Sequence, residues 1–233
     1  MFDRDVLYHI AKRKGKNIPP GLSRLRPFIV LTSPGNCGII PPVRISGGEW
    51  CGRRLKVPAG DKVRPTQDRV RAALFSMIAA ELPGAKLLDL YAGSGSFGLD
   101  ALSRGAESVT WVEADKSVLG FLRQNVEELA RDCRTEIFAA DVLKWVKSLG
   151  KERQYDIVFA DPPYLKVEES TFTPLMEALA AEKCLTVEGL FIGEMSSRTR
   201  VTELSGWELL RDRNYGHTRV GIWRLVDTKT EEK

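Results

Sequence analysis

The chain has 233 residues, 43% of them hydrophobic and 28% charged, with a formal net charge of +4. That composition suits one globular domain with a sizeable core and excludes a disordered chain. No apolar run approaches the roughly 18 residues needed to cross a bilayer, and the start Met1-Phe2-Asp3-Arg4-Asp5 lacks the basic-then-apolar order of a secretory signal.

In chain order, residues 1–42 stand apart. They hold seven Lys/Arg against two acids, and Pro19-Pro20, Pro27, Pro34-Gly35 and Pro41-Pro42 interrupt any regular pattern. We expect a poorly ordered or loosely docked basic extension. Residues 44–58 read as a short hairpin with glycine turns, within an N-terminal segment 43–65. Arg44 to Arg71 carries eight basic residues against three acids, whereas 43–233 as a whole balances at 28 against 29. A basic edge on a near-neutral domain suits a polyanion, although a solvated charged face is the commoner fate of such residues.

Thr66 is expected to cap a helix, with Asp68 in its first turn. Val70, Ala73, Leu74, Met77 and Ile78 supply its apolar stripe, which stops near Pro83-Gly84. Beyond Lys86, strand patterns at 86–92, 108–113, 135–140, 155–160, 190–195, 207–213 and 218–225 alternate with helix patterns at 97–104, 116–131, 141–149 and 171–182. Near-continuous apolar strands separated by helices predict an α/β fold: a seven-stranded, mainly parallel sheet with helices on both faces. The last two strands, joined around Asn214-Tyr215-Gly216, predict an antiparallel hairpin. Residues 66–226 form the main domain and 227–233 a flexible tail. Cys37, Cys51, Cys133 and Cys184 have no metal-site or redox spacing, so reduced thiols, no metal and a cytoplasmic location are expected. The five Trp residues read as packing, and His217 as a surface turn residue.

Asp89-Leu90-Tyr91-Ala92-Gly93-Ser94-Gly95-Ser96-Phe97-Gly98 is a strand, a glycine turn and a helix start. The order Gly-x-Gly-x-x-Gly also fits dinucleotide binding. Asp89 favours S-adenosylmethionine, which offers an ammonium group and no phosphate. Glu113, about 20 residues beyond the glycines, is the candidate for ribose hydroxyls, with Asp115 second. Asp141 is placed to accept from an adenine amine, with Val142 packing near the ring. Asp161-Pro162-Pro163-Tyr164 ends a buried strand at two prolines, which cannot donate to a ladder. The corner aims the Asp161 carboxylate and the Pro162 carbonyl at one point beside the Tyr164 ring, an arrangement for a nucleobase amine. Asp89, Glu113, Asp141 and Asp161 all end strands, and ligands of open α/β sheets bind at that edge.

These residues resemble the class I methyltransferase pattern, and more narrowly the RsmD family of bacterial 16S ribosomal RNA (guanine(966)-N2)-methyltransferases. The resemblance spans about residues 43–226. It rests on Arg44-Ile45-Ser46-Gly47-Gly48, Arg64-Pro65-Thr66 with Asp68-Arg69-Val70-Arg71, the Asp89–Gly95 stretch, Leu102-Ser103-Arg104-Gly105-Ala106, Val112-Glu113 and the Asp161–Tyr164 stretch. Tyr91 stands where Phe is expected, and Tyr215-Gly216-His217-Thr218 matches only loosely. The resemblance implies a Rossmann-like domain that methylates a guanine N2 of 16S rRNA, the base being flipped into the pocket. The acceptor would be free rRNA, the 30S subunit or an assembly intermediate, and the enzyme a monomer by default. Implied catalytic residues are Asp161, Pro162 and Tyr164. Implied cofactor residues are Asp89, Tyr91, Ala92, Gly93, Ser94, Gly95, Glu113, Asp141 and Val142. Implied RNA contacts are Arg44, Arg53, Arg54, Lys56, Arg64, Arg69 and Arg71. The rival readings are methylation of DNA adenine N6 or of a protein glutamine, and a non-catalytic RNA-binding protein.

Overall fold

The computed structural model describes residues 42–58, 65–149, 153–163, 172–201 and 203–226, the first three of the second stretch by backbone alone. The expectations for residues 1–41, for Arg64, for Tyr164 and for the tail 227–233 lie outside the described residues. Among those described, seven strands form one sheet: β1 (Lys86–Leu90), β2 (Ser108–Glu113), β3 (Arg134–Ala139), β4 (Tyr155–Ala160), β5 (Leu185–Ser196), β6 (Trp207–Tyr215) and β7 (Thr218–Leu225). Their order across the sheet is β3-β2-β1-β4-β5-β7-β6. β1 to β5 are parallel, and β7 joins β5 antiparallel with β6 outside it. The described helices are α1 (Pro65–Met77), α2 (Ser96–Ser103), α3 (Lys116–Leu129), α4 (Val142–Ser148) and α5 (Thr173–Ala181).

Period-two alternation along the strands sorts the core into two layers. Leu87, Val109, Ile157, Ile192 and Ile222 face α1, α2 and α3, meeting Leu74, Phe97 and Leu122. Leu88, Val112, Val158 and Phe191 face α4 and α5, meeting Val146 and Leu179. β1 lies inside the sheet between β2 and β4, and its Leu87, Leu88 and Leu90 are fully buried. Each such leucine is worth about 1.5–3 kcal/mol, so the buried centre of the sheet fixes the register on which the site depends.

Two expectations are corrected. β5 begins at Leu185 rather than residue 190, because the exposed Val187 and Glu188 interrupt its apolar pattern. The ladder shifts there, with Tyr155 opposite Leu185 but Ile157 opposite Leu190. The first helix begins at Pro65, so Thr66 lies inside it and does not cap it. A proline suits the first helical position, since its missing N–H has no partner there anyway.

Residues 42–58 form a strap against α2 and α3. An antiparallel bridge joins Arg44 to Arg54. Asp100 on α2, wholly buried, accepts from the Ser46 amide at 2.9 Å and the Gly47 amide at 3.2 Å. Ser103 Oγ donates to the Gly47 carbonyl at 2.7 Å, and the Ser103 carbonyl accepts from the Glu49 amide at 2.8 Å. A Cβ on Gly48 would lie 1.9 Å from the Ser103 carbonyl oxygen, and φ there is +78°. Only glycine permits that approach. Further along, Asn125 on α3 accepts from the Lys56 amide and donates to the carbonyls of Lys56 and Ser94, tying the strap to the loop after β1.

Candidate active site

The strand order reverses between β1 and β4, and such a switch point opens a crevice beyond the strands' carboxyl ends. The chain leaves β1 through Tyr91 (φ 60°), Gly93 (φ 56°) and Gly95 (φ 82°). For a tyrosine the left-handed region costs roughly 1–2 kcal/mol. Gly95 and Gly98 are needed for packing: added Cβ atoms would stand 2.4 Å from Leu122 Cδ1 and from Trp111 Nε1 respectively. Gly93 differs, since a Cβ there would meet nothing within 4 Å.

A cleft of about 290 Å³ opens at this point, lined by Asp89, Tyr91–Ser94, Phe97, Phe159, Asp161 and Glu194, with Asp68 and Arg71 from α1 and Val43 and Val57 from the strap. Phe97 and Phe159 stack at 3.7 Å beside Phe75 and form its aromatic wall. Asp89 is level with Phe159, and Ala160 is level with Gly193. Alternation therefore places Asp89, Asp161 and Glu194 on the same sheet face from three adjacent strands, β1, β4 and β5.

Proximity and burial shape their ionisation. Burial holds the Asp89 carboxyl well above its ordinary value, opposed by the Gly98 amide, which donates to it at 3.0 Å. Burial raises Asp161 to about 7. Burial and then the charge of Asp161 raise Glu194 to about 8, against the pull of Arg71. Tyr91 is also raised, by burial and then by Asp141. Among the described residues, four acids thus line the cleft beside one guanidinium, Arg71, which already pairs with Asp68 and Asp100. That donor set fits a ligand carrying an ammonium and a sulfonium and disfavours a pyrophosphate.

The other predicted cofactor residues divide. Glu113 accepts from the Gly93 amide at 2.8 Å and the Asp115 amide at 2.7 Å, so it shapes the glycine turn and keeps further lone pairs. Asp115 and Asp141 cap α3 and α4, accepting from Ser117 and Lys144 amides. Asp141 is exposed beyond its cap. Val142 is 2% exposed, and its side chain belongs to the core layer under α4.

Among the basic candidates, Arg44, Arg53, Arg54 and Arg69 are exposed, and Arg44 also donates to the Gly52 carbonyl. Lys56 pairs with Glu128 at 3.1 Å in the open. Arg71 differs from these. It is buried, donates to Asp100 at 2.7 Å and Asp68 at 3.0 Å, and reaches the Arg44 carbonyl. It is an internal ion-pair hub that braces strap, α1 and α2. Sequence reasoning also missed Glu194 and Phe97. The signal for Glu194 was present: it is the one acid in the apolar run Leu190–Met195, and an acid buried in a strand is rare unless partnered.

A doubly wound sheet with a glycine turn after β1, a carboxylate corner after β4 and an acid-lined cleft between them defines a class I, S-adenosylmethionine-dependent methyltransferase. Comparison with known proteins agrees. A family profile described as conserved hypothetical protein 95 matches residues 43–224. The chain belongs to that family, the RsmD family expected from its motifs. Ribosomal RNA small subunit methyltransferase D of Escherichia coli K12 is 39% identical over 185 residues, covering 78% of this chain and 89% of the relative. The solved structure of the Escherichia coli protein yhhF superposes with a TM-score of 0.70 at 32% identity, covering 80% of this chain and 99% of that one. The Thermus thermophilus 16S rRNA N2 G1207 methyltransferase RsmC, solved with AdoMet and guanosine, shares the fold at a TM-score of 0.58 and 22% identity, covering 80% of this chain and 50% of its own.

Proposed function

We propose that the chain methylates the exocyclic N2 of a guanine in the 16S rRNA of the small ribosomal subunit, in the cytoplasm, on free rRNA or an assembling 30S particle. One observation carries the reading: Asp161 and the glycine turn line a single cleft. The relatives named as small subunit rRNA methyltransferases support the choice of acceptor over DNA adenine or protein glutamine.

S-adenosylmethionine, when bound, supplies a methyl group on an electrophilic sulfonium. Asp89, Gly93 and Glu113 are the residues to hold its amino acid and ribose ends. Asp161 and the Pro162 carbonyl accept the two N2 hydrogens, which draws the amine lone pair out of the ring and toward the methyl. Most of the rate comes from that positioning. A carboxyl poised at about 7 also takes the proton N2 must lose, since it is matched to neutral pH. Tyr164, outside the described residues, stacks on the flipped base. The exposed Arg44, Arg53, Arg54 and Arg69, with Lys56 and Arg64, hold the RNA backbone, so binding weakens steeply with salt. Segment 43–65 is thus the RNA-contacting part and 66–226 the catalytic domain.

The test is Asp161→Ala, assayed with tritiated cofactor against 30S subunits from an unmethylated strain, free rRNA, DNA and protein. Wild type should label rRNA as N2-methylguanosine. The variant should lose about 100-fold or more, while calorimetry still shows cofactor binding. Wild-type turnover by the variant, or label in DNA or protein instead, overturns the reading.

A further inference from the structure

We infer that Glu194 is a specificity-determining residue that stands beside Asp161 and selects guanine by accepting from its N1–H. The inference rests on the guanine-N2 reading above and adds to it the residue that chooses the base.

The geometry comes from the β4–β5 ladder. Ala160 lies opposite Gly193, so the next residues, Asp161 and Glu194, emerge level with each other from neighbouring strands, about 4.8 Å apart. Alternation aims both at the face of Phe159 and Ile192, into the cleft they line. Gly193 faces the opposite side, where a Cβ would meet Phe172 Cε2 at 2.6 Å. Glu194 cannot turn away into that layer, which the Phe172 ring fills.

Glu194 is only 8% exposed, yet its carboxylate makes no hydrogen bond to any described residue. Its side chain lines the cleft, where a donor can reach it. Among the described residues, the charged groups acting on it are Asp161 on β4 and Arg71 on α1, and its cross-strand neighbour on β7 is the apolar Val220. Arg71 is committed elsewhere, to Asp100, Asp68 and the Arg44 carbonyl. Glu194 is therefore placed to accept from a donor arriving in the cleft, next to whatever Asp161 holds.

Base chemistry says which donor. Guanine presents N1–H and N2–H2 side by side, so two level carboxylates meet two adjacent donors. The amine of adenine has the N1 lone pair beside it, and the amine of cytosine has the N3 lone pair. A bound sulfonium favours the ionised form of Glu194, and against that carboxylate either base would set a lone pair, a repulsion that rejects the wrong partner. A site built to pair with a ring N–H also rejects analogues lacking it, because its own buried group is left unpaired.

The experiment first maps the N2-methylguanosine that wild-type enzyme forms on unmethylated 30S subunits. That guanine is then replaced by 2-aminopurine, which keeps the N2 amine but has a lone pair at N1. Wild type should prefer guanine by about 100-fold in kcat/KM. Glu194→Gln, whose amide can donate to N1, should narrow the preference below about tenfold, and the ratio of ratios cancels effects common to both acceptors. Calorimetry of S-adenosylmethionine binding checks that the variant site is intact. If Glu194→Gln fails that check, Glu194→Asp takes its place. It keeps a carboxylate and should turn over more slowly while retaining the guanine preference. An undiminished preference in Glu194→Gln, or a lost one in Glu194→Asp, overturns the inference alone. Absence of N2-methylguanosine from the wild-type reaction overturns the guanine reading and the inference with it.

Discussion

Asp100→Asn tests how the strap is held. Asp100 is wholly buried and receives the Ser46 amide and hydroxyl, the Gly47 amide, Arg71 Nε at 2.7 Å and Arg104 Nε at 3.4 Å. The asparagine amide keeps one acceptor and turns an N–H2 group toward donors. It also leaves the buried Arg71 with Asp68 as its one remaining carboxylate. Breaking a buried ion pair from one side costs about 3–5 kcal/mol. For a chain of this size that lowers the melting temperature by roughly 6–20 °C, at about 2–4 °C per kcal/mol. Urea unfolding at neutral pH measures the loss, and limited trypsin digestion reads its location, because the strap carries Arg53 and Arg54 in the open. Cleavage there should precede global unfolding in the variant. The control is Glu188→Gln, which removes the exposed partner of Arg224 and should change stability by no more than about 1 kcal/mol. A loss below about 1 kcal/mol in Asp100→Asn, with the strap still protected, would show that Asp100 does not carry it.

Two further predictions separate packing from ligand contact and fix a pH dependence. Gly95→Ala meets Leu122 at 2.4 Å with φ at +82°, so it should cost about 1–3 kcal/mol in urea unfolding. Gly93→Ala meets open space at φ +56°, so it should cost only about 1 kcal/mol yet weaken cofactor binding at least tenfold by calorimetry. Cofactor binding unchanged in Gly93→Ala would place the ligand elsewhere. Burial raises the folded carboxyls of Asp161 and Glu194 to about 7 and about 8, from 3.8 and 4.5. The folded protein therefore keeps protons that the unfolded chain has released. This contribution to stability is complete below about pH 4 and drains away as pH rises to about 8. Glu194→Gln, which cannot ionise, should match wild type near pH 5 and exceed it by on the order of 3 kcal/mol near pH 9. A difference that stays flat across that range would refute the shared burial of the two carboxyls.

The parallel sheet was legible because its strands are buried on both faces. Leu87-Leu88 and Ile157-Val158 leave no polar position to disguise the pattern, and the intervening helices carry 3.6-residue stripes. The start of β5 was not legible, because Val187 and Glu188 lie at an exposed irregularity in the ladder, where strand pattern and loop pattern coincide. The proline start of α1 was misread for a related reason. Thr66 has the chemistry of a cap, but Pro65 already satisfies the first helical position without one.

Acids at strand ends pose a harder problem, because one residue type serves two purposes there. An aspartate after a parallel strand precedes a helix, and the helix's free amides attract its carboxylate as strongly as any ligand would. Asp115 and Asp141 answer that local demand and cap α3 and α4. Glu113 does so by holding the Gly93 and Asp115 amides. Asp161 is followed by Pro162 and Pro163, which bring no backbone N–H for its carboxylate to accept, and Glu194 sits within a strand that continues to Ser196. Neither can relieve its burial locally, and burial raises both carboxyls as a result. The positions whose sequence context removes every local hydrogen-bond partner are therefore the ones left for the substrate. By that criterion Glu194 ranks with Asp161 and ahead of Asp141, although nothing in its immediate sequence forms a motif.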